Sequence, residues 1–363
     1  MSVSSPGTIA DEQFAARELV RSWAAGSGAV AAARDVEHGQ PDAWRAPYDG
    51  LAQLGTFGVA LPEEHGGAGG TVGDLCAMVD EAAAAMVPGP VATTALATLL
   101  IGGSHAALLE SLASGERTAG VALSADLRYA DGRVSGTADY VLGADRAGVL
   151  LLPAGDRWLL VDATADGVTV EQLEATDFSR PLARVVLDAA PAEPLSVSAQ
   201  RVEDLTVTVL AAEAAGLARW TLKTATEYAK VREQFGKPIG SFQAIKHMCA
   251  EMLLRSEQIS VAAGDAASAA ASAISNDDDR QLSVAAAVAA ATGIDSAKDN
   301  AKDCIQVLGG IGFSWEHDAH LYLRRALSLR QLLGPTAGWR TRLAELALGG
   351  ARRTLGVIFH DAV

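Results

Sequence analysis

Cysteine is scarce in this chain. Only Cys76, Cys249 and Cys304 occur in 363 residues, far apart and in no metal-ligand spacing. An odd, sparse set offers no disulfide framework and fits a reducing compartment. Basic charge is in deficit as well. Lysine and arginine total 29 against 44 acidic residues, a formal charge of −15, and the isoelectric point is about 4.9. Non-specific nucleic-acid binding needs a basic face that displaces counterions, which excludes that class. Long apolar runs are missing too. The most apolar stretch, Val87–Gly102, is interrupted by Pro88 and Pro90 and falls short of the ~20 residues that cross a bilayer. The start, MSVSSPGTIADEQ, has no basic segment followed by an apolar run. The expectation is a cytoplasmic protein with no membrane or nucleic-acid partner.

What is present is ordinary globular composition, 49% hydrophobic and 20% charged. At roughly 100–200 residues per domain the length accommodates two or three domains. Residues 11–113 read as helical, because EQFAARELVRSWAA and DAWRAPYDGLAQLG repeat apolar residues at three- and four-residue spacing. PEEHGGAGG (Pro62–Gly70) and VPGP (Val87–Pro90) break that pattern with turn chemistry. The Gly-rich break lacks the strand–GxGxxG–helix context and the Lys-Ser/Thr of a phosphate-binding loop, so it reads as a loop between helices. From Thr118 to about Leu187 come short β-branched runs punctuated by Asp-Gly and Gly-Asp, and VLLL-PAGD-RWLLV reads as a hairpin.

From Val202 the pattern is helical again and in longer units. Leu210, Leu217, Trp220, Thr224, Tyr228 and Val231 trace one apolar stripe; Phe242, Ile245, Cys249, Met252 and Ile259 trace another. Asp278–Leu308 and Thr336–Leu348 supply two further helices, which makes a four-helix bundle. Ser268–Arg280, SAAASAISNDDDR, reads as its polar connection, with SNDDD as an N-cap. The fold class is therefore α+β and multidomain: an N-terminal α-helical domain (1–117), a middle β domain (118–200) and a C-terminal four-helix bundle (201–363).

Two segments carry chemistry. VREQFGKPIGSFQAIKH (Val231–His247) places Arg232, Phe235 and Gln243 around one helix junction. A guanidinium for a pyrophosphate, a ring for stacking and an amide for a ribose or adenine edge suit a dinucleotide. The plainer alternative is a helix-ending Arg paired with a nearby carboxylate. QVLGGIGFSWEHDAHLYLRRA (Gln306–Ala326) ends a helix on Gly309, Gly310 and Gly312, and one of these is expected to be a positive-φ cap. Glu316, His317, Asp318 and His320 crowd the same segment, but their spacing matches neither HExxH nor an EF-hand. A solvated helix start is the reading preferred to a metal site.

The α–β–α order together with VREQFGKPIGSFQAIKH and QVLGGIGF resembles the acyl-CoA dehydrogenase family. PEEHGGAGG and SRPLARV (Ser179–Val185) resemble it too, so the likeness covers nearly the whole chain. The resemblance implies a homotetramer-like assembly, FAD bound between subunits, α,β-dehydrogenation of an acyl-CoA thioester and electron delivery to an electron-transfer flavoprotein. By position, Arg232 falls where the family contacts the FAD pyrophosphate, with Phe235 and Gln243 in the same cluster. Gln306, Gly309 and Gly310 fall on the turn that touches the adenosine half.

Elsewhere the sequence departs from the family. The Thr-Glu-Pro-Gly-like and Trp-Ile-Thr-like stretches that hold the flavin ring are replaced by ALSADLRYADG and ADYVLGADRAG. The family's Glu before Gly-Thr is replaced by Leu333 before Gly334 and Pro335. In a second group the base lies 26 residues before the motif Arg, which is Thr206 here. Glu203 and Asp204 lie nearby but are expected to point to another face of the helix, and Glu316 occupies a turn that is structural in the family. No catalytic residue is therefore assigned. The resemblance points to a half-site subunit of an α2β2 enzyme, as in actinobacterial relatives acting on steroid side-chain CoA thioesters, with a homologous catalytic partner supplying the base. A self-sufficient enzyme using Glu203 or Glu316, and a flavin-free acyl-CoA-binding scaffold, are the alternatives.

Overall fold

A computed structural model describes residues 6–144, 148–276 and 278–354. Residues 145–147 of ADYVLGADRAG and Asp277 of the polar connection lie outside the described residues. The chain opens with six helices, α1 (Pro6–Ala24), α2 (Ala29–Glu37), α3 (Arg45–Gln53), α4 (Val72–Ala84), α5 (Val91–Leu100) and α6 (Ala106–Ala113). Helix α4 starts on a capping box in which Thr71 and Asp74 satisfy each other's backbone N–H groups. It is buried almost all round, and that includes, besides the capping Asp74, the adjacent carboxylates of Asp80 and Glu81. Arg17 and Arg21 of α1 and Arg219 of the following bundle pair with them, which such desolvated charges require.

Eight strands follow, β1 (Ala119–Ala122), β2 (Asp126–Ala130), β3 (Arg133–Leu142), β4 (Val149–Ala154), β5 (Arg157–Asp162), β6 (Val168–Gln172), β7 (Leu182–Pro191) and β8 (Glu193–Pro194). They form one sheet in the order β6-β7-β3-β1-β4-β5-β8, with β2 branching onto β3. Only β1 and β4 run parallel among these pairs. The β4–β5 pairing bears out the hairpin but, with Ala154 opposite Arg157, narrows its turn from PAGD to Gly155–Asp156 and puts Pro153 and Ala154 inside β4. Val149 and Leu151 face the helices, whereas Leu150 and Leu152 enter the sheet's own core. Burial on both faces explains why VLLL is uninterrupted rather than alternating.

Three long helices dominate the rest: α7 (Ala199–Val231), α8 (Gln243–Asn276) and α9 (Arg280–Leu308). Two shorter ones, α10 (Ala319–Leu333) and α11 (Thr336–Leu348), pack on α9. The expected four-helix count leaves out α10, although the Glu316–His320 run reads as a helix start and α10 begins within it at Ala319. Helix α8 also runs on to Asn276, through most of the expected polar connection. Five of its six alanines between 266 and 273 are buried, and alanine is the strongest helix former. Asp279 occupies the N-cap position of α9 but makes no capping bond; its carboxylate binds Arg201 instead. At the end of the first stripe, Val231 is 76% exposed rather than buried.

A close crossing locks α7 onto α4. A Cβ at Gly216 would sit 2.0 Å from the carbonyl oxygen of Asp80, so only glycine fits. Nearby, four buried charges tie the loop before β7 to the bundle. Arg180 donates to Asp177 at 2.7 Å and to both oxygens of Glu213 at 2.9 and 3.1 Å. Arg325 of α10 reaches Ser179 and the Val87 carbonyl. Burial alone would raise Asp177, but the two guanidiniums outweigh it and hold its carboxyl below the ordinary value.

Candidate functional site

The two motifs singled out in the sequence meet at one end of the bundle. Helix α7 stops at Val231, and the chain makes a miniature hairpin, β9 (Glu233–Gln234) and β10 (Lys237–Pro238). Phe235 and Gly236 at its tip have φ of +53° and +78°, as a two-residue turn between antiparallel strands demands. Phe235 is 91% exposed and meets Phe242 edge-on at 6.0 Å, while Lys237 Nζ lies 4.5 Å above the Phe242 ring. Arg232 is exposed, and among the described residues no carboxylate pairs with it. Gln243 is exposed in the first turn of α8, where its Nε2 lies 2.7 Å from His247 Nε2.

Gln306 is exposed on the last turn of α9. Gly309 then takes φ +62° and ψ −134°, a conformation essentially confined to glycine. A small apolar cluster holds the two motifs to the same end: Met252, Cys304, Ile305 and Leu308, with Ile239, Ile245 and Ile311 packed against them. Arg232, Phe235, Gln243, Gln306, Gly309 and Gly310 thus border one solvent-facing region. Burial pushes the Cys304 thiol up to about 12, so it is no nucleophile at neutral pH.

The other half of the family pattern lies at the far end of α7. Thr206 donates its hydroxyl to the Val202 carbonyl at 2.7 Å. It lines an apolar slot of only about 20 Å³, closed by Ala92, Leu96, Val121, Leu123, Leu142, Val209, Leu210 and Leu332. Leu123 and Leu142 come from the two stretches that replace the family's flavin-ring patterns. Beside the slot opens a cleft of about 420 Å³, lined by Trp158, Glu203, Thr206, Leu333 and Trp339 among others. Both positions where the family carries its base, Thr206 and Leu333, therefore face one cleft.

One expectation is corrected here. Glu203 does not point away from Thr206; three residues apart on a helix, the two are neighbours, and both line the cleft. Arg342 of α11 pairs with Glu203. Asp204, by contrast, is fully buried. Burial raises its carboxyl above the ordinary value, against hydrogen bonds from Ser283 at 2.6 Å and Gln200 at 2.8 Å. The end of α10, at Leu333, is fixed by Trp339 Nε1 donating to the Leu333 carbonyl at 2.7 Å. It is fixed also by Thr336 donating to Asp295 at 2.7 Å.

The acidic and histidine run after the glycine turn is dispersed. Glu316 is exposed, Asp318 binds Arg34, and His317 accepts from the Ala319 N–H. Among the described residues no group of three His, Cys, Asp or Glu could hold a metal ion. The sequence reading missed the buried Asp177–Arg180–Glu213–Arg325 network; charged residues set among apolar ones in FSRPL and LRRAL were its only signal.

Comparison with known proteins agrees with this geometry. The chain matches the model of the acyl-CoA dehydrogenase N-terminal domain over residues 10–116 and that of the C-terminal domain over 205–348. It is 61% identical over 360 residues to acyl-CoA dehydrogenase FadE34 of Mycobacterium tuberculosis, covering 96% of this chain but 50% of that protein. The chain thus spans half the length of that relative. It is 34% identical over 330 residues to acyl-CoA dehydrogenase IpdE2 of the same organism, covering 90% and 94% of the two chains. Among solved structures, the Tcur3481–Tcur3483 steroid ACAD superimposes with a TM-score of 0.84 at 29% identity, over 94% of this chain and 99% of that one. Two domain models, a full-length relative and an α–β–α architecture with both bundle motifs at one end converge: the chain belongs to the acyl-CoA dehydrogenase family.

Proposed function

We propose that this chain is a half-site subunit of a heteromeric, FAD-dependent acyl-CoA dehydrogenase acting on an acyl-CoA thioester, with a steroid side-chain CoA as the substrate class. FAD is the cofactor that goes with the family, and when bound it accepts the hydride removed from the substrate β-carbon. In this reading Arg232 binds the pyrophosphate, Phe235 and Gln243 flank it, and Gln306, Gly309 and Gly310 receive the adenosine half. A homologous catalytic partner in an α2β2 assembly holds the flavin ring and supplies the base, and electrons leave to an electron-transfer flavoprotein. The steroid class rests on the names of relatives, the Tcur3481–Tcur3483 steroid ACAD foremost.

The observation that carries the reading is the contrast in fit. A slot of about 20 Å³ has room for about one water. From the replaced β-domain stretches only the apolar Leu123 and Leu142 line it, and only Leu123 of them reaches the larger cleft alongside, so those stretches offer a flavin ring no polar cradle there. The exposed cluster at the other end does fit an anionic dinucleotide half: an unpaired guanidinium, an exposed ring, two amides and a turn without side chains. Purified alone, the chain is expected to be essentially flavin-free, because half of a site cannot offset the cost of immobilising the cofactor. With its partner it should yield two FAD per tetramer, and Arg232→Ala should lower FAD retention by about one to two decades. Four FAD per tetramer, or a yellow and active homotetramer, would overturn the reading.

The placement of Glu203 favours a second reading, a self-sufficient enzyme with an unorthodox base. Its cleft contains both family base positions. Against it, Arg342 already engages the carboxylate and the adjoining slot is closed. Glu203→Gln should leave most activity of the complex intact. A loss of about 10²–10⁴ in rate at normal flavin content would identify Glu203 as the general base.

A further inference from the structure

We propose that Arg34, on an N-terminal helix far from both motifs in sequence, is a positioning residue for the cofactor-facing turn. It fixes the backbone that follows Gly309–Gly310, and with it the presentation of Gln306 and Gly309 to the adenosine half of FAD. The inference rests on the half-site reading.

Residues 314–318 join the glycine turn to α10 through bends and turns only, and none of the five is buried. Apolar packing therefore does not hold this segment in place. Its local bonds are four: the Ser314 N–H and Oγ both donate to the Ile311 carbonyl, at 3.1 and 2.9 Å, the Ala319 N–H donates to His317 Nδ1 at 3.1 Å, and the Leu321 N–H donates to the Asp318 carbonyl at 2.9 Å. The rest of its restraint comes from outside. Arg34 Nε and Nη2 donate to Asp318 Oδ1 at 3.0 and 2.6 Å, and Nη1 donates to the Trp315 carbonyl at 2.6 Å. One turn along α2, Glu37 accepts from Arg324 Nη1 at 2.9 Å. The Arg324 guanidinium in turn lies 4.8 Å from the Phe178 ring and 5.0 Å from the Trp315 ring.

An isolated surface ion pair stabilises little. This one differs because the planar fork of Arg34 spans two acceptors, and one of them is a backbone carbonyl. That fixes the path of the chain rather than a side chain alone, a geometry that lysine cannot reproduce. Helix α2 directly, and the loop before β7 through Arg324 of α10, thus close on a segment five residues beyond the glycine turn. A segment whose conformation is set from outside is stiff only while its clamp is intact, so the turn's readiness to bind should depend on Arg34.

The test uses the assembled complex. Arg34→Ala is expected to lower FAD retention about tenfold and to speed amide exchange across Gln306–Asp318 while the rest of the chain exchanges as before. Arg34→Asp combined with Asp318→Arg should recover part of the retention that each single change loses. Normal retention in Arg34→Ala, with lowered retention in Arg232→Ala, overturns the clamp and leaves the half-site reading standing. Normal retention in both overturns both. Should Arg34→Ala unfold the chain, seen as exchange rising throughout, Arg34→Lys decides: lowered retention supports the clamp, and normal retention overturns it.

Discussion

At its C-terminal end α7 delivers Arg232 into solvent beside a phenylalanine that is 91% exposed; toward its N-terminal end it closes Thr206, Val209 and Leu210 into a slot of about 20 Å³. The exposed end contributes little to the stability of the chain and leaves polar and aromatic groups for something else to cover. The other end contributes packing and leaves little free volume in the slot, with the larger Glu203 cleft beside it. Under the half-site reading proposed above, that division is what a chain completing its neighbour's site would need; a self-sufficient chain would keep the exposed end and need an open pocket at the other end as well. Between the two ends stands Glu213, buried in the Arg180 network, which anchors the middle of the helix and lets its ends differ.

Breaking that anchor should have the largest effect. Arg180→Ala leaves Asp177 and Glu213 buried with only Arg325 to compensate them, and loss of one partner of a buried pair costs about 3–5 kcal/mol. Urea unfolding of the chain measures this, and a loss below about 1 kcal/mol would mean the network is dispensable. Sharpening the contrast between the ends comes next. Leu210→Ala should cost about 2–5 kcal/mol, because the packed slot cannot collapse fully around the space left. Phe235→Ala should change stability by no more than about 0.5 kcal/mol, as expected for an exposed side chain. Comparable losses at both positions would erase the distinction drawn here.

The smallest effect concerns the α10–α11 junction just after Leu333. Burial tends to raise Asp295, but hydrogen bonds from Thr336, Lys298 and Arg330 outweigh it and leave the carboxyl at about 2. A carboxyl depressed in the folded state contributes stability above its unfolded value of about 3.9, and that contribution is lost as pH falls toward the folded value. Asp295→Asn should therefore lower stability at pH 7 by about 1 kcal/mol after solvent screening. It should also flatten the acid limb of the stability profile between roughly pH 4 and pH 2. An unchanged acid limb would show that Asp295 does not hold the junction electrostatically.

Much of the site was legible because it is local. Gly-Lys-Pro after VREQF and Gly-Gly after QVL are turn chemistry, so both helix ends could be read directly, although the miniature hairpin between α7 and α8 could not. The neighbouring placement of Glu203 and Thr206 was also in the sequence, since a spacing of three residues fixes it on any helix; the expectation of separate faces misjudged the helical period. The run of α8 to Asn276 was masked by serines and aspartates, whose turn preference was overridden by alanine propensity and by packing against α7 and α9.

By itself, the sequence determined the order of helical, β and helical regions, the apolar stripes and the two glycine-rich ends. Each of these depends on residues within a few positions of one another, where propensity and periodicity act. Tertiary structure alone decided that Asp177, Arg180, Glu213 and Arg325 share one buried network, that Arg34 meets Asp318 across 284 positions, and that the slot beside Thr206 is narrow. Those outcomes depend on how separate elements pack, and the volume left between helices and sheet is a property of no single segment.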